Sequence, residues 1–246
     1  MIVANLRQSL ERNDAQLALR LMARGSDREL DQLEDMLRDR GFDALLDDPR
    51  LLDALLDTPR GAHASLPLFA YVVIRNALRA LGETSRELAD YLASVVVNFA
   101  VRDRAYRVGL ADDEFYDSLV ALLADVNGPD SRRTLLVRAH LGNLALWLSG
   151  LFPDYIEHRR WRRGGPDLGY YEELGRRGFR LAAHHRLAAE HGLESLFTNV
   201  ADRFPLLRHA LNDVSDRLLF PGHHSPERVM RQVRSGMMVR WTPRQG

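Results

Sequence analysis

One stretch of the sequence concentrates residue types that can do chemistry: HRRWRRGGPDLGYYEELGRRG, residues 158–178. It holds six arginines, five glycines, two tyrosines and a tryptophan. Guanidinium groups pair with phosphate and carboxylate, and aromatic rings stack on bases. Arg159, Arg160, Trp161, Arg162 and Arg163 therefore have the chemistry of a nucleic-acid contact. Just downstream, Glu173, Arg177, Arg180 and His184 fall on one helical face, beside a stripe that carries Tyr171 and His185. Upstream, His140, Asn143 and Trp147 recur at i, i+3 and i+7, a second polar stripe within an apolar segment.

Three functional readings follow. The leading one is a non-enzymatic helical module that binds a partner protein, a second copy of itself or a small anionic ligand. Its binding face is drawn from Asn143, Trp147, Tyr171, Glu173, Arg177, Arg180 and His185. The alternative is an enzyme acting on an anionic or carbonyl substrate, with His140 or His184 as general base and Arg177 or Arg180 as electrostatic clamp. That enzyme needs His140, Tyr171 and Arg180 to converge on one pocket; otherwise the polar stripe is a buried network that fixes helix register. The third reading is nucleic-acid binding through 158–163. Zero net charge and the lack of a helix-turn-helix signature weigh against it.

Other chemistries find little support. The chain has no cysteine, which removes disulfides, thiolate nucleophiles and cysteine-ligated metals. Eight of nine histidines lie at or after His140, but His184-His185 and His223-His224 are adjacent pairs, and neighbours on a helix diverge by about 100°. His184 and His191 share a face yet sit about 10 Å apart. Neither H-E-x-x-H nor the E-x-x-H of di-iron bundles occurs, so no metal and no cofactor is expected. No G-x-S-x-G elbow is present, and Ser149 most simply bonds back to a carbonyl one turn earlier. His209 and Asp213, at i,i+4, read as a plain surface contact.

All 34 basic residues are arginine, balanced by 34 acids. Complete avoidance of lysine points to a coding bias, as in GC-rich bacteria, so arginine clusters carry less meaning than usual. The charges are uneven: residues 1–60 hold 9 Arg against 13 acids, and residues 154–246 hold 16 against 11. An acidic front can thus attract a basic back. The opening residues have no basic region followed by an apolar run, and a cytoplasmic location is expected.

These groups must be positioned by helices, because no strand–turn–helix rhythm or phosphate-loop pattern appears. The expected fold is all-α, a multi-helix bundle around a buried central apolar helix at about 131–152. Residues 1–60 form an acidic helical layer, 61–220 the core, and 221–246 a short helix and tail. Ser26 and Glu29 open one helix that Gly41 closes. The repeat ALLDDPR (44–50) and ALLDTPR (54–60) predicts two short helices burying Leu-Leu pairs. Further helices are expected at 65–82, from Thr84 onward, and over 112–125. In 134–152, Ala139, Gly142, Ala145, Ser149 and Gly150 form a small-residue side, matched after the twin tyrosines by Gly175, Gly178, Ala182 and Ala189. Pro153 starts a short helix whose arginines suit its negative end and which Gly164-Gly165 stop, and Asp167 caps the next. Within that next helix, Glu172 with Arg176 and Glu173 with Arg177 are spaced as i,i+4 ion pairs.

Overall fold

The computed structural model describes residues 1–101, 103–109, 114–116, 118–129 and 131–220. Among these the chain is all-α: thirteen α-helices and no strand. The expected C-terminal helix and tail, with His223 and His224, lie outside the described residues, as does the start of the helix expected over 112–125.

Helix starts follow side-chain caps. The N-terminal layer comprises α1 (Arg12–Ala23), α2 (Asp27–Arg40), α3 (Phe42–Leu46) and α4 (Pro49–Asp57). Ser26 accepts the Glu29 amide to start α2, and Asp48 with Pro49 starts α4. The second copy of the repeat behaves differently. Thr58 caps only a 3-10 turn, Pro59–His63, in which Gly61 lies against the carbonyl of Leu55 where any Cβ would collide. Leu45, Leu46 and Leu55 are buried, but Leu56 stays exposed, so the second Leu-Leu pair is half used. Behind this layer pair α5 (Leu66–Ala80), capped by Ser65, and α6 (Arg86–Ala100), capped by Ser85 one residue later than the sequence suggests.

An arginine–carboxylate clasp seats the acidic layer on α5 and α6. Asp47 accepts from Arg75 at 2.7 Å and from Arg86 at 2.5 Å, while Asp43 takes Arg7 at 2.7 Å. Arg79 donates to the Asp47 carbonyl. Asp90 on α6 accepts the Arg7 amide at 2.9 Å, tying down the first turn, Leu6–Ser9. Among the described residues the front thus pairs with arginines of the middle third and not with those of the basic back.

After α7 (Leu119–Asp125), capped by Ser118, comes α8 (Arg132–Leu151), buried along most of its length. No single helix among the described residues is long and apolar enough to cross a membrane. The remaining helices are α9 (Pro153–Arg163), α10 (Leu168–Ala183), α11 (Arg186–Glu190), α12 (Glu194–Asp202) and α13 (Phe204–Val214), the last continuing into a π-helical turn, Ser215–Leu219.

Helix α8 packs chiefly on α10 and α13, through its small residues. A Cβ on Gly178 would lie 2.8 Å from the Gly142 nitrogen and 2.9 Å from the Arg138 carbonyl. Gly142 is covered by the Phe179 ring, and Gly175 by Phe204. Gly150 instead meets Leu211 of α13, so the small side of α8 serves two neighbours. Tyr91, Phe179, Phe197 and Phe204 join α6, α10, α12 and α13 in one aromatic cluster, with ring centroids 6.1–6.3 Å apart. The α10 stripe ends at Ala182: the helix stops at Ala183, His185 caps α11, and Ala189 is exposed on that separate helix.

Between α8 and α9 the axis turns by 90°. Pro153 cannot continue α8, which leaves carbonyls at its end without helical donors. Asn212 supplies them to Ser149 at 2.9 Å and Gly150 at 2.7 Å, and the Ser215 hydroxyl to Leu151 at 2.7 Å. The Ser149 hydroxyl itself bonds back to Ala145. That corner aims α9 away from the core.

Candidate functional site

The polar stripe of α8 faces inward, toward α6. Asn143 accepts a 2.7 Å hydrogen bond from the Tyr91 hydroxyl, and burial raises that phenol's pKa far above its ordinary value. His140 is 3% exposed; its Nε2 donates to the Ala105 carbonyl at 2.9 Å, and its ring meets Phe99 edge-on at 5.4 Å. Trp147 packs between Phe99 and Phe152. His140 and Asn143 are buried and hydrogen-bonded, Trp147 is packed among rings, and their common phase on the helix reflects their shared neighbour α6.

The expected convergence of His140, Tyr171 and Arg180 on one pocket does not occur. Tyr171 is buried near the α9–α10 junction, where burial pushes its phenol pKa up against the opposing pull of Arg159, with Tyr155 and Tyr170 nearby. His185 is buried as the cap of α11, its Nδ1 accepting from the Leu187 amide. An i, i+3 pattern reports which residues share a face and not which helix covers it. That is why one stripe turned inward and the other outward.

The outward stripe of α10 forms a groove of about 490 Å³ lined by Glu172, Glu173, Arg176, Arg177, Arg180 and His184, among others. The structure thus brings Glu173, Arg177, Arg180 and His184 together and leaves His140, Asn143, Trp147, Tyr171 and His185 elsewhere. Neither expected i,i+4 ion pair within α10 forms among the described residues. Glu172 reaches Arg208 of α13 at 3.3 Å, and Arg180 reaches Asp202 of α12 at 3.7 Å. Beside Arg208, the half-buried His209 has its pKa lowered, by burial first and by Arg208 second, with Asp213 opposing.

Helix α9 is anchored at one end only. Pro153 and Ile156 are its buried residues, and every residue from His158 to Gly164 is exposed. Tyr155, His158, Arg159, Arg162 and Arg163, at i, i+3, i+4, i+7 and i+8, line a basic concavity of about 330 Å³. The Arg159 guanidinium sits 5.7 Å over the Tyr155 ring. Among the described residues Arg159, Arg160, Arg162 and Arg163 form no ion pair, in contrast to the clasp around Asp47. Trp161, 76% exposed, is the most exposed large hydrophobic residue described. Its ring has no aromatic partner among them.

No group of three or more histidine, aspartate or glutamate side chains among the described residues is placed to hold a metal ion. Comparison with protein-family models, with curated proteins and with solved structures returns no match.

Proposed function

We propose that this protein is a non-catalytic binding module that engages an anionic partner through the outer face of α9 and α10, in the cytoplasm of a bacterium. One observation carries this: the last two turns of α9 bury nothing and leave four arginines without acidic partners among the described residues, around an exposed tryptophan. A helix end that buries no side chain gains little from the fold, and clustered cations repel one another. A polyanion removes that repulsion.

The test is retention on immobilised heparin as the salt concentration rises. Charge reversal at Arg159, Arg162 and Arg163 together is expected to abolish retention at physiological salt. The same reversal at Arg12, Arg20 and Arg28, exposed on the N-terminal layer, leaves it nearly unchanged. Equal loss from both triple variants would mean that α9 has no special role.

The enzyme alternative keeps one specific support: His184 shares the α10 groove with Arg177 and Arg180. That imidazole is exposed, and no side chain among the described residues hydrogen-bonds to it, whereas a general base is held in place by a partner. Turnover of a phosphorylated or carboxylated substrate that disappears in His184→Ala would favour this reading.

A further inference from the structure

We infer, building on the proposed anion-binding role of α9, that the anionic partner is single-stranded nucleic acid, with Trp161 as the stacking platform and Arg159, Arg162 and Arg163 as the phosphate track. From His158 to Arg163 the helix advances about 7.5 Å. A stacked strand places a phosphate about every 3.4 Å, so this length serves roughly three phosphates. The cations on that face form two pairs one turn apart, His158 with Arg159 and Arg162 with Arg163, which suits a short run of charges better than a single small anion. On the helix Arg162, at the edge of this face, lies about 100° from Trp161, whereas Arg159 and Arg163 lie about 160° from it, so the strand passes over Arg162 from the phosphate track to a base on the indole.

The tryptophan decides between nucleic-acid forms. Phosphate contact alone needs no aromatic ring, and an indole held in water costs free energy with no return from the fold. Bases in a duplex are already stacked on each other and show only groove edges, so an exposed ring gains nothing there. An unpaired base offers its face, and stacking on an aromatic side chain is worth about 1–3 kcal/mol per base. The net charge of zero and the acidic N-terminal layer also disfavour wrapping a long duplex, while a single helix end suffices for a short strand. Tyr155, 51% exposed at the near end of the track and already carrying Arg159 over its ring, supplies a second surface for stacking.

Fluorescence anisotropy on the full chain tests this, using labelled oligothymidine and oligouridine of about 12 nucleotides, within the usual range of single-strand sites. A duplex of equal length is the comparison, with heparin as competitor. The single strands are expected to bind at least about tenfold more tightly than the duplex. Trp161→Ala weakens single-strand binding by about tenfold, while Trp161→Phe, which keeps a π-face, stays within about threefold. With the three track arginines engaged, affinity falls by about twentyfold between roughly 50 and 200 mM salt. Equal affinity for duplex and single strand, or no effect of Trp161→Ala with heparin still bound, overturns the inference and leaves a phosphate-only polyanion site. Failure of every polyanion to bind, heparin included, overturns the binding role of α9 itself. Because Trp161 is exposed, both variants are expected to keep the wild-type circular dichroism spectrum.

Discussion

Gly178→Ala is expected to destabilise the protein by about 3 kcal/mol, although the same change in an open helix would stabilise it. Alanine is favoured over glycine in a helix interior by about 1 kcal/mol. At position 178, however, the new methyl would sit 2.8 Å from the Gly142 nitrogen and 2.9 Å from the Arg138 carbonyl. Both are backbone atoms of α8 and cannot rotate aside, so α8 and α10 must separate. Separation loosens the Phe179 and Phe204 rings that cover Gly142 and Gly175. Overpacking that forces backbone shifts costs typically 1–3 kcal/mol and occasionally more, and here the clash falls at the centre of the bundle. For a chain of this size, about 3 kcal/mol lowers the melting temperature by roughly 10 °C. Gly169→Ala is the internal control: it lies exposed in the first turn of the same helix, with nothing nearer its added Cβ than the Asp167 carboxylate at 3.4 Å. That variant is expected to be neutral or slightly stabilising in thermal unfolding. A Gly178→Ala protein as stable as the wild type would mean that the two helices do not meet at this seam.

Asp47→Asn tests the clasp that holds the N-terminal layer, with an expected loss of about 3 kcal/mol at neutral pH. Arg75 is 5% exposed, and Asp47 is the anion that balances its charge; its other contact is the Thr84 carbonyl at 2.9 Å. Removing one partner of a buried ion pair costs about 3–5 kcal/mol, and the lower end applies because Asp47 keeps some solvent access. The pH dependence has a defined sign. Burial alone would raise the Asp47 pKa, but hydrogen bonds from Arg75 and Arg86 outweigh it and hold the carboxyl below its ordinary 3.8. A group with a depressed folded-state pKa stabilises the fold above its unfolded value and loses that contribution as pH falls below it. Acid unfolding of the wild type therefore draws on Asp47 below about pH 4, and Asp47→Asn removes that part of the slope. Asp90 acts in the opposite direction. Burial raises its pKa despite the bonds from Arg7, so its contribution is present at low pH and is lost as pH rises. Denaturant titrations at pH 7 and near pH 3 should show the gap between wild type and variant narrowing on acidification. A gap of constant size would place the stabilisation of Asp47 outside its charge.

Much of the scaffold was legible from local rules. Ser26, Asp48 and Asp167 cap the helices expected of them, and Gly164 takes the left-handed conformation that ends α9. The seam of Gly142, Ala145, Gly175 and Gly178 was also visible, because close helix packing requires small side chains at one-turn spacing. Partner choice was not. The stripe of His140, Asn143 and Trp147 had the correct phase, but its neighbour is α6, and Phe99 and Tyr91 lie more than 40 residues away in sequence. The Asp47 clasp escaped for the same reason, since ion pairs across 28 and 39 residues leave no periodic trace. The break at His184-His185 was missed because it carries no glycine or proline: His185 caps the next helix with its own ring nitrogen. On α9, the arginines and tryptophan were plain in the sequence, but their freedom from acidic partners among the described residues goes with the 90° corner at Pro153, braced by Asn212 and Ser215.

The central claim is that the chain keeps its inner polar stripe for packing and does its binding on the outside of α9. Indole N–H resonances in a two-dimensional NMR titration with the oligothymidine separate these directly, once Trp147 and Trp161 are assigned by single replacement with phenylalanine. The Trp161 signal is expected to shift progressively to saturation while that of Trp147, wedged between Phe99 and Phe152, stays in place. A titration that moves Trp147 and leaves Trp161 untouched would contradict the account.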